Sequence, residues 1–214
     1  MIGYYNYTVV LTYIGFIAGI LGIFFALGIY GDGSHPEYAV ICLMFAGLCD
    51  MFDGKIARTR ERTESEKKFG IQIDSLCDLV CFGVLPSVIG YAVGMKSWAD
   101  FPILAAFPLC ALIRLAYFNV AEEDRQKTTT DVRKVYEGLP VTSVSLILPL
   151  LYSFRGDIGR DIFPNVYGTA MLIIAIAFIT RFKVKKPGMR TMLIFLGLGV
   201  IELAWLIYKT DFFG

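Results

Sequence analysis

The chain has 214 residues, of which 56% are hydrophobic and 18% charged. A soluble domain carries about a quarter charged residues, and here the charges gather between long apolar runs. The net charge of +1 excludes bulk electrostatic capture of nucleic acid, and no nucleic-acid partner is expected.

A helix needs about 20 apolar residues to cross a bilayer. Runs of that kind occupy 8–30, 37–58, 71–95, 99–121, 138–154, 164–181 and 190–208. No Ser/Thr/Pro-rich linker divides them. The expectation is one integral-membrane domain over 1–214, an all-α polytopic helix bundle. The first run has no Lys or Arg before it and is too long for a signal-peptide core, so it is expected to stay as a span.

The second run changes character partway along. Apolar sequence gives way to Asp50-Met-Phe-Asp53-Gly54-Lys-Ile-Ala57-Arg58, followed by a polar loop expected over Thr59–Lys68. The third run opens with Gly70-Ile-Gln-Ile-Asp74-Ser75-Leu-Cys-Asp78. Asp50 and Asp53 are i,i+3, and Asp74 and Asp78 are i,i+4, so each pair lies on one helix face. Antiparallel neighbours joined by a short loop bring the pairs together at one membrane face. Gly54 and Gly70 leave room for a ligand to approach the backbone.

The fourth run ends in Arg114-Leu-Ala-Tyr117-Phe-Asn119, before the charged stretch Glu122–Lys134, and the fifth opens with Gly138-Leu-Pro140. In the last run Glu202 interrupts the apolar sequence. Cys42, Cys49, Cys77, Cys81 and Cys110 all fall inside apolar runs, where packing is the expected role. With the 55–68 loop inside, the inner segments hold six basic residues in 55–68, four in 122–137 and five in 181–190. That asymmetry predicts a cytoplasmic N-terminus and an external C-terminus; the expected location is the cell (plasma) membrane, with the site facing the cytoplasm.

Carboxylates at membrane depth cost several kcal/mol unless paired or solvated, and four together repel one another unless cations lie between them. An all-oxygen donor set selects hard cations, Mg²⁺ or Mn²⁺. The one histidine, His35, is far from the acids, which argues against a catalytic triad. Two metals on two carboxylate pairs would clamp phosphate oxygens. Arg58 adds a planar donor suited to phosphate. One carboxylate must accept a proton from an attacking hydroxyl, and Asp78, deepest along its run, is the candidate.

Asp50-x2-Asp53-Gly54-x2-Ala57-Arg58 with Gly70-x3-Asp74-x3-Asp78 resembles the signature of the CDP-alcohol phosphotransferase family. The resemblance implies a six-span core, with the run at 190–208 as one extra C-terminal span, and usually a homodimer. It also implies exchange of CMP for an alcohol on a CDP-activated donor. By position, Asp50, Asp53, Asp74 and Asp78 would hold two metals, with Asp78 as base. Asp53, Gly54, Ala57 and Arg58 would meet the diphosphate or nucleotide, and Thr63, Ser65 and Gly70 the cytidine. The stretch Asp74–Pro86, the segment Arg114–Asn119 and Gly138-Leu-Pro140 are similar to phosphatidylserine synthases, except that Tyr117 stands where those enzymes carry a second Arg.

That likeness implies CDP-diacylglycerol and L-serine as substrates, within membrane lipid, and Arg114, Asn119, Arg133 and Lys134 as acceptor contacts. Glycerol 3-phosphate, an inositol phosphate or a CDP-archaeol donor would use the same chemistry. A divalent-cation transporter is the reading from another class, but its path needs polar groups spread across the membrane depth.

Overall fold

The computed structural model describes residues 3–4, 6–29, 31, 33–128, 135–185 and 189–209. Helix α1 (Val10–Leu27) follows a 3₁₀ turn at Tyr7–Val9 and stops at Gly28, whose φ of +70° suits glycine. Helix α2 (Pro36–Ile56) starts on a proline, where no N–H is lost, and carries Asp50 and Asp53 in its last two turns. These two helices pack along their length. The contact face of α1 is a stripe of small residues, Gly15, Ala18, Gly19, Gly22 and Ala26. Such faces let apolar helices approach closely without help from water exclusion.

The polar loop is shorter than expected. Thr63 caps α3 (Glu64–Asp78) in a reciprocal box with Glu66, so Glu64–Lys68 are helical. From Asp78 the rod continues through a π-helical turn at Leu79–Val84 into α4 (Leu85–Ala92). Pro86 has no N–H to offer the preceding turn. The wider turn shifts the phase of the rod, and Phe82, Leu85 and Ile89 end in the core. The hydroxyl of buried Tyr167 donates to the Pro86 carbonyl at 3.2 Å.

Helix α5 (Phe101–Thr128) overruns the expected fourth span. Its last turns lie in the charged stretch, and Glu122–Arg125 and Asp124–Lys127 ion pairs hold them at i,i+3. A three-residue strand β1 (Val135–Glu137) pairs antiparallel with β2 (Lys183–Lys185). This small ribbon departs from a purely helical chain but leaves the bundle architecture unchanged. Gly138, at φ +76°, then turns the chain against the last carbonyls before Arg181. Helix α6 (Val144–Ser153), its 3₁₀ entry at Val141–Ser143, the single turn α7 (Arg155–Ile158), α8 (Phe163–Ile179) and α9 (Met189–Lys209) complete the order.

Among the described residues, four helical segments are long and apolar enough to cross a membrane: Tyr7–Leu27, Glu64–Ala92, Phe101–Arg125 and Thr191–Lys209. Helix α2 is as long, but its acids dilute its apolar character. Val141–Ser153 and Phe163–Ile179 are apolar but shorter. The expected fifth span begins at 141 rather than 138 because Pro140 holds an extended backbone. The protein is an integral-membrane helix bundle. Glu202 does not break α9; it turns inward, 8% exposed, with Oε1 buried and without a hydrogen-bond partner.

The core joins α2, the Asp78–Ala92 rod, α5, α6 and α8 through Leu43, Phe82, Leu85, Phe107, Leu148 and Tyr167. The cysteines are free. Cys81 packs under Gly19, where an added Cβ would meet its Sγ at 2.6 Å.

Candidate active site

Helices α2 and α3 bring their acid-bearing ends together. Carboxylate oxygens of Asp50, Asp74 and Asp78 lie within 4.8 Å of one another. Across the helix pair, Asp50 stands within hydrogen-bonding reach of Asp78, and Asp53 within reach of Asp74. Asp53 lies outside the tight trio and is 8% exposed. Carboxylates at such separations repel unless a cation or a proton lies between them. A cluster of oxygen donors on two rigid helices fits a hard divalent cation.

The hydroxyl of Thr12, on α1, donates to Asp53 Oδ2 at 3.0 Å. The N-terminal segment also reaches the α2–α3 connection. Asn6 Nδ2 donates to Glu66 Oε1 at 3.2 Å, Tyr7 Oη and Thr59 Oγ1 are 3.0 Å apart, and the rings of Tyr4 and Phe69 pack at 5.6 Å. Sequence reading missed these contacts. The available signal was the run of polar residues Asn6, Tyr7, Thr8 and Thr12 at the head of the first span. Thr12→Val keeps the shape and removes the donor. It should raise the metal concentration for half-activity about tenfold or more, since such supporting bonds orient ligating carboxylates; a metal titration of activity checks this.

The remaining expected residues separate into groups. Gly54 is exposed, with open space where a Cβ would stand, as a close ligand approach requires. Ala57 lines a cavity of about 440 Å³ together with Arg60, Glu61, Arg62 and Lys67. Gly70 lies against Arg62. The hydroxyl of Thr63 is committed to the α3 cap, and Ser65 is exposed in the first turn of α3. The Arg58 side chain lies outside the described residues, as do Arg133 and Lys134.

On α5, Asn119 exchanges hydrogen bonds with Ser75 at 2.8 and 3.2 Å, beside Asp74 in the chain. Arg114 lies on the same helix. It is 6% exposed, donates from Nε to the Leu139 carbonyl at 2.6 Å, and stacks over Phe118. Its guanidinium thus fixes the Gly-Leu-Pro turn. Tyr117 lies under the guanidinium of Arg181, 5.3 Å from the ring centre. The segment just after α8 therefore places a guanidinium over Tyr117.

The sequence has relatives among known proteins. A family model described as CDP-alcohol phosphatidyltransferase matches residues 5–203. The chain belongs to this family. It is 42% identical over 136 residues to a CDP-diacylglycerol–serine O-phosphatidyltransferase of Saccharomyces cerevisiae, covering 61% of this chain and 48% of that one. The protein of the same name from Mycobacterium leprae is 28% identical over 173 residues, covering 77% of this chain and 55% of the relative. That from Bacillus subtilis is 31% identical over 150 residues, covering 68% and 75%. The chain spans about half the length of the first two of these relatives.

Proposed function

We propose that the chain transfers the phosphatidyl group of CDP-diacylglycerol to L-serine, giving phosphatidylserine and CMP. The observation that carries this reading is the convergence of Asp50, Asp74 and Asp78 on the two helices that bear the family signature, with open space where a Cβ would stand at Gly54, four residues beyond Asp50. The names of the relatives support serine as acceptor.

In this reading Asp50, Asp53, Asp74 and Asp78 hold two divalent ions, Mg²⁺ or Mn²⁺, which neutralise the diphosphate and the charge developing on CMP. Gly54, Ala57 and Arg58 receive the diphosphate, while Ser65 and Gly70 border the nucleotide. Asp78 takes the proton of the serine hydroxyl. The serine oxygen forms a bond to the lipid-linked phosphorus as the bond from that phosphorus to the CMP oxygen breaks. Direct displacement, with no covalent enzyme intermediate, is the course this reading takes. Thr12 keeps Asp53 oriented, and Asn119 with Ser75 braces α3 against α5.

Acceptor binding falls to the α5 side of the cluster, with Asn119 and Arg114, and Arg133 and Lys134 of the following segment, as the residues named by sequence. The excess of basic residues around the acid-bearing ends supports a cytoplasmic site in the plasma membrane, and a homodimer is part of the same family-based reading.

The test is purified protein with CDP-diacylglycerol and single alcohols, following CMP release. The expected result is release with serine and Mg²⁺ or Mn²⁺, and none after chelation by EDTA. Release with glycerol 3-phosphate or an inositol phosphate but not with serine overturns the acceptor assignment. Metal flux into vesicles without any nucleotide chemistry points to transport instead.

A further inference from the structure

The N-terminal segment and α1 grip the two acid-bearing helices at separate points. Thr12 donates to Asp53 on α2, and Asn6 donates from Nδ2 to Glu66 Oε1, in the first turn of α3, at 3.2 Å. These bonds join residues 41 and 60 positions apart, so neither follows from local helix geometry.

Both members of the Asn6–Glu66 pair are fixed from behind. Asn6 Oδ1 accepts from Thr8 N at 3.0 Å and from the Thr8 hydroxyl, capping the 3₁₀ turn that leads into α1. That leaves its Nδ2, a donor only, for α3. Glu66 Oε2 accepts from Thr63 N at 2.8 Å and from Thr63 Oγ1 at 3.1 Å, so Oε1 is the oxygen turned to Asn6. Two further contacts flank the pair. Thr59 Oγ1 gives its proton to the Ile56 carbonyl, so Tyr7 is the donor in the 3.0 Å contact between their hydroxyls. The Tyr4 ring packs on Phe69 of α3.

We propose that Asn6 and Glu66 are positioning residues for the metal site: with Thr12 on Asp53, their bond sets how far α3 stands from α2, and so the spacing of Asp53 and Asp74. The inference rests on the two-metal reading of the proposed function. Asp53 stands within hydrogen-bonding reach of Asp74 across the helix pair. Carboxylates that close repel and push their helices apart until a cation lies between them. One segment bonded to both helices opposes that push. Glu66 precedes Asp74 by eight residues, about 12 Å along α3, so pinning the start of the helix limits how far Asp74 can swing. Supporting bonds of this kind hold ligands in place for a metal.

The experiment uses the full chain in detergent and measures Mn²⁺ binding by electron paramagnetic resonance, beside the Mn²⁺ concentration for half-activity. Asn6→Asp keeps an oxygen for Thr8 but sets a second oxygen against the Glu66 carboxylate. Glu66→Gln keeps an oxygen for Thr63 but sets an amide N–H against Asn6 Nδ2. Each single variant binds Mn²⁺ about tenfold more weakly, the scale of a lost hydrogen bond to a charged group. The double variant reverses donor and acceptor, keeps the capping box, and recovers wild-type binding. Thermal midpoints without metal show that the variants are folded. Single variants that bind Mn²⁺ as the wild type does, with only a lowered midpoint, make the contact purely structural and overturn the proposal. So does a double variant no better than either single one. A wild type that binds no Mn²⁺ overturns the two-metal reading itself, and this inference with it.

Discussion

Asp78→Asn lowers kcat for CMP release by about 10²–10⁴-fold, the usual contribution of a positioned general base. Asparagine preserves size and can still contact a cation through its carbonyl, but it cannot take the proton of the acceptor hydroxyl. The comparison with Asp50→Asn separates base from ligand. Asp50 shares the trio with Asp74 and Asp78, so its replacement weakens metal binding, and millimolar Mn²⁺ restores part of the activity. The same metal leaves Asp78→Asn inactive. If high metal returned the Asp78 variant to the wild-type kcat, Asp78 would be a ligand only and the base would lie elsewhere. Steady-state kinetics over a metal titration decides between the two outcomes.

Gly47→Leu is expected to be the most damaging change away from the acids. Gly47 faces Ser145 of α6 so closely that any Cβ would overlap the serine side chain. Overpacking a tight helix contact costs about 1–3 kcal/mol. The consequence extends to function, because Asp50 lies three residues further along the same helix. Displacing α2 from α6 moves Asp50 and Asp53 relative to α3. Thermal unfolding in detergent should show a lowered midpoint, and CMP release should fall with it. Gly54→Ala is the matched control for stability. Its Cβ enters open space, and alanine favours a helix over glycine by about 1 kcal/mol, so the midpoint holds or rises. A wild-type midpoint in Gly47→Leu would show that α2 and α6 are not packed this closely.

Much of the candidate site was legible in the sequence because it depends on local spacing. Residues three or four apart share a helix face in any helix, so the pairing of Asp50 with Asp53 and of Asp74 with Asp78 needed no knowledge of the fold. A short connection then allowed only an antiparallel return. The membrane character was legible for a similar reason: hydrocarbon demands long apolar helices, and composition alone records them. Boundaries were less legible. The capping box at Thr63 turned part of a polar loop into helix, and Pro140 with Gly138 delayed α6. In both cases backbone hydrogen bonding at the ends outweighed hydropathy.

What the sequence could not supply was the set of contacts between distant segments. Thr12 and Asp53 are 41 positions apart, and Ser75 and Asn119 are 44 apart. Arg114 donates from Nε to the Leu139 carbonyl, 25 positions away. Arg181 looked like one more basic flank but covers Tyr117. By itself, then, the sequence determined a membrane helix bundle and four carboxylates on two helix faces, since both follow from periodicity and the cost of burying charge. Only the tertiary structure decided which three acids converge and which residues brace them. Those outcomes depend on how distant helices pack, and no local spacing encodes that.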